Sequence, residues 1–491
     1  MNKNILININ NFKKNYSIIN LKNRMNQAPM SKKSIVTTDL GMDLDTYKKS
    51  MLDNSNKHYS LDDNILYFLH IPKTAGTTFT FNLDSYYDVQ NIYPERVLSG
   101  FLKNPPSNFL SLKLIRGHFG YKISKFLEKP PLFLTFLRNP IERTLSFFDH
   151  IKLDPYTNNW VNQNFILNET ISDLLVDETK SKIFTNNQTR HIANDLDYTK
   201  LNDSNNFLLE EHEQFVNPKL TDEQLITLAK KRLSEFAFVG LTEKTNESLL
   251  LFCYTFNLQP LGNFWNLMVA PKRTHINDFN YDTINQIKKL NNLDFELYEF
   301  AKKIFDYRYS KMLDDFKNLF PNKKFSQGVY DFLDDNYKKF LNYPLQNSVN
   351  YDFSEKFNGR GWYYRETIPE TGNYFRWTGP STESIIDFHL LQNKEYVVEF
   401  SVIDYVTSEQ LENFQLFVNE NKILLKKEQK ENKVYFQGFI PESYMNSKEP
   451  FTRLKLKISK VKQTNLTNLS LSDSRLVGLA FDNIKIFPNK K

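Results

Sequence analysis

Ile65-Leu66-Tyr67-Phe68-Leu69-His70-Ile71-Pro72-Lys73-Thr74-Ala75-Gly76-Thr77-Thr78 decides the fold of the first half of this chain. Its first five residues form a continuous apolar run, the pattern of a strand buried on both faces. Pro72 ends the run, and a helical stretch from Phe79 to about Tyr87 follows. Two further runs share this texture, Leu132-Phe133-Leu134-Thr135-Phe136-Leu137 and Phe236-Ala237-Phe238-Val239-Gly240. Helical patterns lie between and after them. The clearest begins at Thr221, with Gln224 at the capping-box position and Leu220 and Leu225 spaced as a hydrophobic staple. Buried strands alternating with helices predict an α/β domain, a P-loop-like three-layer arrangement around a mostly parallel sheet.

Past about residue 345 the pattern changes. Phe414-Gln415-Leu416-Phe417-Val418, Arg453-Leu454-Lys455-Leu456-Lys457-Ile458 and Ile484-Lys485-Ile486 alternate with period two, punctuated by Asn419, Asn421, Pro441 and Asp473. Short alternating strands at regular spacing predict an all-β sandwich. The expected organisation is a polar, flexible arm over 1–60, an α/β domain over 61–325, a linker over 326–345 with one or two helical turns, and a β-sandwich over 346–491. No internal repeat is present.

Composition narrows the function classes. The chain has 491 residues, 40% hydrophobic and 24% charged, which is enough to bury a large core and excludes wholesale disorder. A net charge of +6 spread over that length is a mild bias toward anionic partners and no argument for nucleic acid. The single cysteine, Cys253, sits in an apolar run and reads as an inert buried thiol. It excludes disulfide scaffolds and Cys-based zinc sites within the chain. Eight histidines without clustered spacing predict no metal site. No apolar stretch reaches the roughly 18 residues of a transmembrane helix, and the first residues lack the apolar core of an export signal, so the cytoplasm is the default expectation.

The loop after the first strand carries chemistry. Strand, short loop with a lysine and a glycine, paired threonines, then helix is the geometry of an anion cradle. Backbone N–H groups at the helix start and the helix dipole both favour a phosphate there. Gly76 lets the backbone approach closely, Lys73 supplies a point charge, and Thr77 and Thr78 supply hydroxyls. The lysine precedes the glycine, so this is not the order G-x-x-x-x-G-K-[ST] of ATPases and GTPases. A second constellation follows the second strand, Arg138-Asn139-Pro140-Ile141-Glu142-Arg143-Thr144-Leu145-Ser146. Asn139 suits an N-cap, Pro140 the first helical position and Glu142 the third. Arg138 and Ser146 can converge on a second phosphate, which arginine grips bidentately. Glu142 and Arg143 read most simply as solvated helix residues.

Together the two constellations resemble the paired cofactor signatures of carbohydrate sulfotransferases, specifically the heparan sulfate 2-O-sulfotransferase-like family. The resemblance covers roughly residues 63–312. It extends to Ile115-Arg116-Gly117-His118-Phe119, Asn187-Gln188-Thr189-Arg190, Phe238-Val239-Gly240-Leu241-Thr242-Glu243 and Lys272-Arg273-Thr274-His275-Ile276-Asn277. It implies 3′-phosphoadenosine-5′-phosphosulfate (PAPS) as co-substrate and 3′-phosphoadenosine-5′-phosphate (PAP) as product, without a metal. It assigns Pro72, Lys73, Thr74, Ala75, Gly76, Thr77 and Thr78 to the 5′-phosphosulfate, and Arg138 and Ser146 to the 3′-phosphate. Thr274 and Asn277 fall where the family closes over the nucleotide.

Sulfuryl transfer needs in-line positioning, a base on the acceptor hydroxyl and a cation at the leaving oxygen. Lys73 is the candidate cation. His118, in the Gly-His segment where the family places its catalytic histidine, is the candidate base and also a substrate contact, since neutral imidazole accepts a proton near pH 7. Arg190 is a candidate contact for an anionic acceptor, a structural ion pair being equally open. His70, on a buried strand, reads as a satisfied core histidine. The implied partner is a glycan or polysaccharide; its identity and the oligomeric state stay open. Two other readings are an ATP-using P-loop-like kinase and a glycan-binding protein with a degenerate sulfotransferase domain. In the β-region, Trp362 and Trp377 are candidate sugar-stacking residues, though core packing is the simpler reading.

Overall fold

A computed structural model describes residues 57–97, 111–121, 127, 129–153, 169–193, 220–261, 274–322, 325–339, 344–446, 449–463 and 475–489. The N-terminal arm read over 1–60 lies almost wholly outside these, as do Lys272, Arg273 and Asp473. Tertiary contacts divide the chain into two compact units. One is Met1–Gly76, Tyr93–Thr255 and Met268–Asp315; the other is Thr77–Ile92, Phe256–Leu267 and Phe316–Lys491.

The first unit is built on a four-stranded sheet in the order β2-β1-β3-β4. Its strands are β1 (Leu66–Leu69), β2 (Leu114–Gly117), β3 (Leu132–Leu137) and β4 (Phe238–Leu241). Every pairing is parallel, with Leu66 opposite Leu114 on one side and Leu132 on the other, and Leu134 opposite Phe238. The apolar runs are buried as a parallel sheet requires: Leu66, Tyr67, Phe68 and Leu69 are all buried. The helices up to residue 319 are, in chain order, α1 (Gly76–Asp84), which from Thr77 on belongs to the second unit, α2 (Pro140–Leu153), α3 (Ile171–Val176), α4 (Asn187–Ala193), α5 (Asp222–Glu235), α6 (Thr245–Phe256), α7 (Tyr281–Leu290) and α8 (Asn292–Leu319), whose last turn also belongs to the second unit. Helices α2, α3 and α7 share one apolar cluster that includes Leu145, Phe148, Leu174, Phe184 and Ile287.

The local signals act as expected at two helix starts. Thr221 accepts the backbone N–H of Gln224, and the Gln224 side chain accepts that of Thr221, a closed capping box. Asn139 Oδ1 accepts the backbone N–H of Ile141 at 3.0 Å, and α2 begins at Pro140. The helix after the first strand differs from expectation. It starts three residues early, at Gly76, and ends at Asp84.

In the second unit, residues 325–339 form a continuous helix, α9, longer than the one or two turns expected of a polar linker. Its buried Phe332, Leu333 and Tyr337 lie on one face, at spacings an amphipathic helix gives. Beyond it lie, among the described residues, a small antiparallel pair of β16 and β17 and two large antiparallel sheets. The larger has the order β13-β14-β10-β18-β8-β7 with β5 beside β18, and the smaller β12-β11-β15-β9-β6. The strands run β5 (Val349–Tyr351), β6 (Gly359–Arg360), β7 (Glu366–Thr367), β8 (Tyr374–Trp377), β9 (Glu383–Phe388), β10 (Tyr396–Tyr405), β11 (Gln415–Val418), β12 (Asn421–Ile423), β13 (Leu425–Lys430), β14 (Lys433–Ile440), β15 (Thr452–Lys457), β16 (Lys462–Gln463), β17 (Leu476–Val477) and β18 (Leu479–Pro488). The period-two reading holds: Leu454 and Leu456 of β15 and Ile484 and Ile486 of β18 point inward. Trp362 and Trp377 are buried, and Trp362 Nε1 donates to the Ile385 carbonyl at 3.0 Å, so both belong to the core. Residues 77–92 are bonded into this unit. Arg365 Nη2 donates to the carbonyls of Asp84 and Tyr87, and the Phe357 N–H donates to the carbonyl of Ser85.

Candidate functional site

The ends of the parallel strands bring the site together, as the carboxyl edge of an open α/β sheet does. His70 follows β1, His118 follows β2 and Arg138 follows β3. The loop after β1 takes a backbone that side chains rarely allow: Lys73 has φ 70° and Ala75 φ 62°. Two arginines hold it there. Arg138 Nη1 donates to the Lys73 carbonyl at 3.1 Å, and Arg143 Nε donates to the Pro72 carbonyl at 3.3 Å. Thr74 is buried and its hydroxyl donates to the Ile71 carbonyl at 2.9 Å, so it closes the loop on itself. Thr77 and Thr78 stand in the first turn of α1.

Gly76 is required by the ring of His70. A Cβ placed on it would lie 2.0 Å from both Cδ2 and Nε2 of that ring. The His70 ring stacks on Phe68 and lies 4.4 Å, centroid to centroid, from the ring of His118. His70 therefore sits between the loop after β1 and the candidate base. Burial, with the neighbouring His118 adding to it, holds its pKa well below the ordinary value.

His118 is set by three contacts. Its backbone N–H donates to the Arg96 carbonyl at 2.9 Å. The preceding Gly117, at φ 152°, approaches that same carbonyl so closely that a Cβ would lie 2.3 Å from its oxygen. Nδ1 lies 2.7 Å from the His70 carbonyl, an acceptor only, so Nδ1 carries the proton and donates. Nε2 is then the ring's basic nitrogen. Burial lowers the pKa to about 4, the bond to the His70 carbonyl opposes that shift, and His150 adds to it. The imidazole is neutral, and basic at Nε2, across the physiological range.

Arg138 is held at its backbone as well as its side chain. Gln188, fully buried on α4, accepts the Arg138 N–H at 2.9 Å and donates to its carbonyl at 2.8 Å. Asp294 in turn caps α4, accepting the N–H groups of Gln188 and Thr189 and the Thr189 hydroxyl. Glu243, after β4, accepts the N–H of Asn139 at 2.8 Å. Sequence reading marked the segments around Gln188 and Glu243 but gave neither residue a role. It missed Asp294, whose only signal is its place in the first turn of α8.

The remaining candidates are dispersed. Ser146 lies half-buried on α2. Arg190 Nη1 donates to the Lys182 carbonyl at 3.3 Å, and burial lowers its pKa while Asp294 and Asp222 raise it. Thr274 is bound through both its N–H and its hydroxyl to Asp149 of α2. Asn277 is exposed in the short turn Ile276–Asp278. Arg143, read as solvated, is fully buried, because α2 turns it beneath the Pro72 carbonyl.

Residues 58–301 match the model of the sulfotransferase family. The chain is 39% identical over 101 residues to "Heparan-sulfate 6-O-sulfotransferase 1-B" of Danio rerio, covering 20% of this chain and 24% of that protein. It is 26% identical over 307 residues to "Heparan-sulfate 6-O-sulfotransferase 1" of Homo sapiens, covering 52% of this chain and 69% of that protein. The first of these matches thus spans about a quarter of its relative. These relatives carry 6-O names, where the motifs alone resemble the 2-O enzymes. Among solved structures, a family 35 carbohydrate binding module from Clostridium thermocellum is similar over 30% of this chain at 13% identity and a TM-score of 0.17, too low for a shared fold to be argued from it.

Proposed function

We propose that this chain, whose residues 58–301 match the model of the sulfotransferase family, moves a sulfuryl group from PAPS to a sugar hydroxyl of a polysaccharide. The observation that carries this reading is one loop flanked by two functions. Lys73, in a left-handed loop tied to Arg138, lies next in the fold to a histidine pair whose outer member has a basic Nε2. The residue types suit the donor: Lys73 and the hydroxyls of Thr77 and Thr78 are assigned to the 5′-phosphosulfate, and Arg138 with Ser146, further along α2, to the 3′-phosphate. The donor supplies the activated sulfuryl group, and the rest belongs to the chain. Lys73 neutralises charge on the leaving phosphate oxygen. His118 takes the proton of the attacking hydroxyl at Nε2, while the His70 carbonyl holds its tautomer. The names of the relatives support a heparan-sulfate-type acceptor and the 6-hydroxyl over the 2-hydroxyl. With the acceptor an anionic glycan, Arg190 is a secondary candidate for its binding.

Calorimetry tests the donor. PAP should bind without magnesium and more tightly than ATP with magnesium. A preference for ATP–magnesium would replace this reading with that of a kinase.

A further inference from the structure

Arg143 is a buried cation beside the loop after β1 that the reaction above does not use. It is fully buried on α2, its Nε bonded to the Pro72 carbonyl and its guanidinium 5.0 Å from the Phe147 ring centroid. Nη1 and Nη2 have no hydrogen-bond partner among the described residues. Asp294 offsets its charge, but both Asp294 oxygens are engaged by the start of α4. Burial pushes the guanidinium pKa down to about 10, still cationic at neutral pH. A buried charge with orphaned donors costs folding free energy, and a neutral side chain of similar volume commonly removes that cost. Stability therefore does not explain an arginine here. Its position does. Arg143 and Arg138 hold two successive loop carbonyls, and Lys73, the second of those residues, and Ala75 sit in the left-handed region. Such backbone persists only where its surroundings over-determine it.

We propose that Arg143 is a positioning residue for the 5′-phosphosulfate: it fixes the Pro72–Gly76 loop, and its buried charge, offset in part by Asp294, is fully balanced when an anion occupies that loop. This rests on the donor reading above. The test compares wild type, Arg143→Met and Arg143→Lys, by thermal unfolding and by calorimetry with PAP and with 3′-AMP, which lacks the 5′-phosphate. Arg143→Met should unfold at the wild-type temperature or above it without ligand. It should bind PAP about tenfold or more weakly and 3′-AMP as wild type does. Arg143→Lys, which keeps a cation and one donor, should recover part of the PAP affinity. Wild-type PAP affinity in folded Arg143→Met, or equal weakening of PAP and 3′-AMP, would overturn the proposal. If Arg143→Met does not fold, the same two outcomes are read from Arg143→Lys. Failure of the wild-type protein to bind PAP would instead remove the donor reading, so the two failures are distinct.

Discussion

His118, the proposed base, shows how surroundings set the chemistry of one residue. A histidine in water titrates near 6.5 and is a mixture of tautomers. Here the His70 carbonyl selects the Nδ1–H tautomer, and burial lowers the pKa to about 4. The sign follows: the neutral, base-competent form persists as pH falls through 6.5 and is lost only near the folded value. The acid limb of kcat/KM should therefore lie near pH 4, and a limb near 6.5 would mean that another group is being titrated. His118→Ala should bind PAP with wild-type affinity and lose turnover by about 100-fold or more, the scale of a general base. Equal loss of affinity and turnover, by calorimetry and initial rates, would remove that assignment. The loop itself was legible in the sequence, because a lysine, a glycine and paired threonines directly after a buried apolar run mark a tight strand-to-helix turn. The pairing of His70 with His118 was not, since it depends on two strands adjacent in the sheet but about 48 positions apart.

Elements explain why some of the site was readable and some was not. A parallel sheet writes itself as unbroken apolar runs, and caps write themselves within four residues, so β1, β3, β4, α2 and α5 were all visible. Gln188 and Asp294 were not, because their partners are backbone groups at the ends of other elements. Arg143 was misread for a related reason. Helical spacing says which residues share a face, but what covers that face is the Pro72 loop, which no local pattern reveals. The junction of β1 and α1 offers a direct check. A methyl at residue 76 cannot coexist with the present His70 ring, so Gly76→Ala should destabilise the protein by about 1–3 kcal/mol, the usual cost of overpacking. Urea unfolding of Gly76→Ala, His70→Ala and the double variant forms the cycle. Recovery in the double variant is expected, and strict additivity would mean that the ring is not the obstacle.

At the scale of the whole molecule, the sandwich region is more than an appendage in sequence terms. Residues 77–92, which include the threonines after the anion loop, are bonded to residues 354–365 through Arg365, Phe357 and the Lys356 N–H on Asp88. The sequence placed a boundary near residue 346 because the hydrophobic period changes there. Contacts between distant segments leave no mark on that period. A chain ending at Tyr343 should accordingly unfold at a lower temperature than the full chain, whereas an unchanged melting temperature would make residues 77–92 independent of the sandwich. The central claim concerns transfer itself. The full chain, incubated with sulfur-labelled PAPS and a panel that includes heparan sulfate, desulfated heparan sulfate and neutral polysaccharides, should place label on a glycan, at the 6-hydroxyl and only when His118 is intact. Release of PAP without labelled glycan across the panel, or equal labelling by His118→Ala, would contradict it.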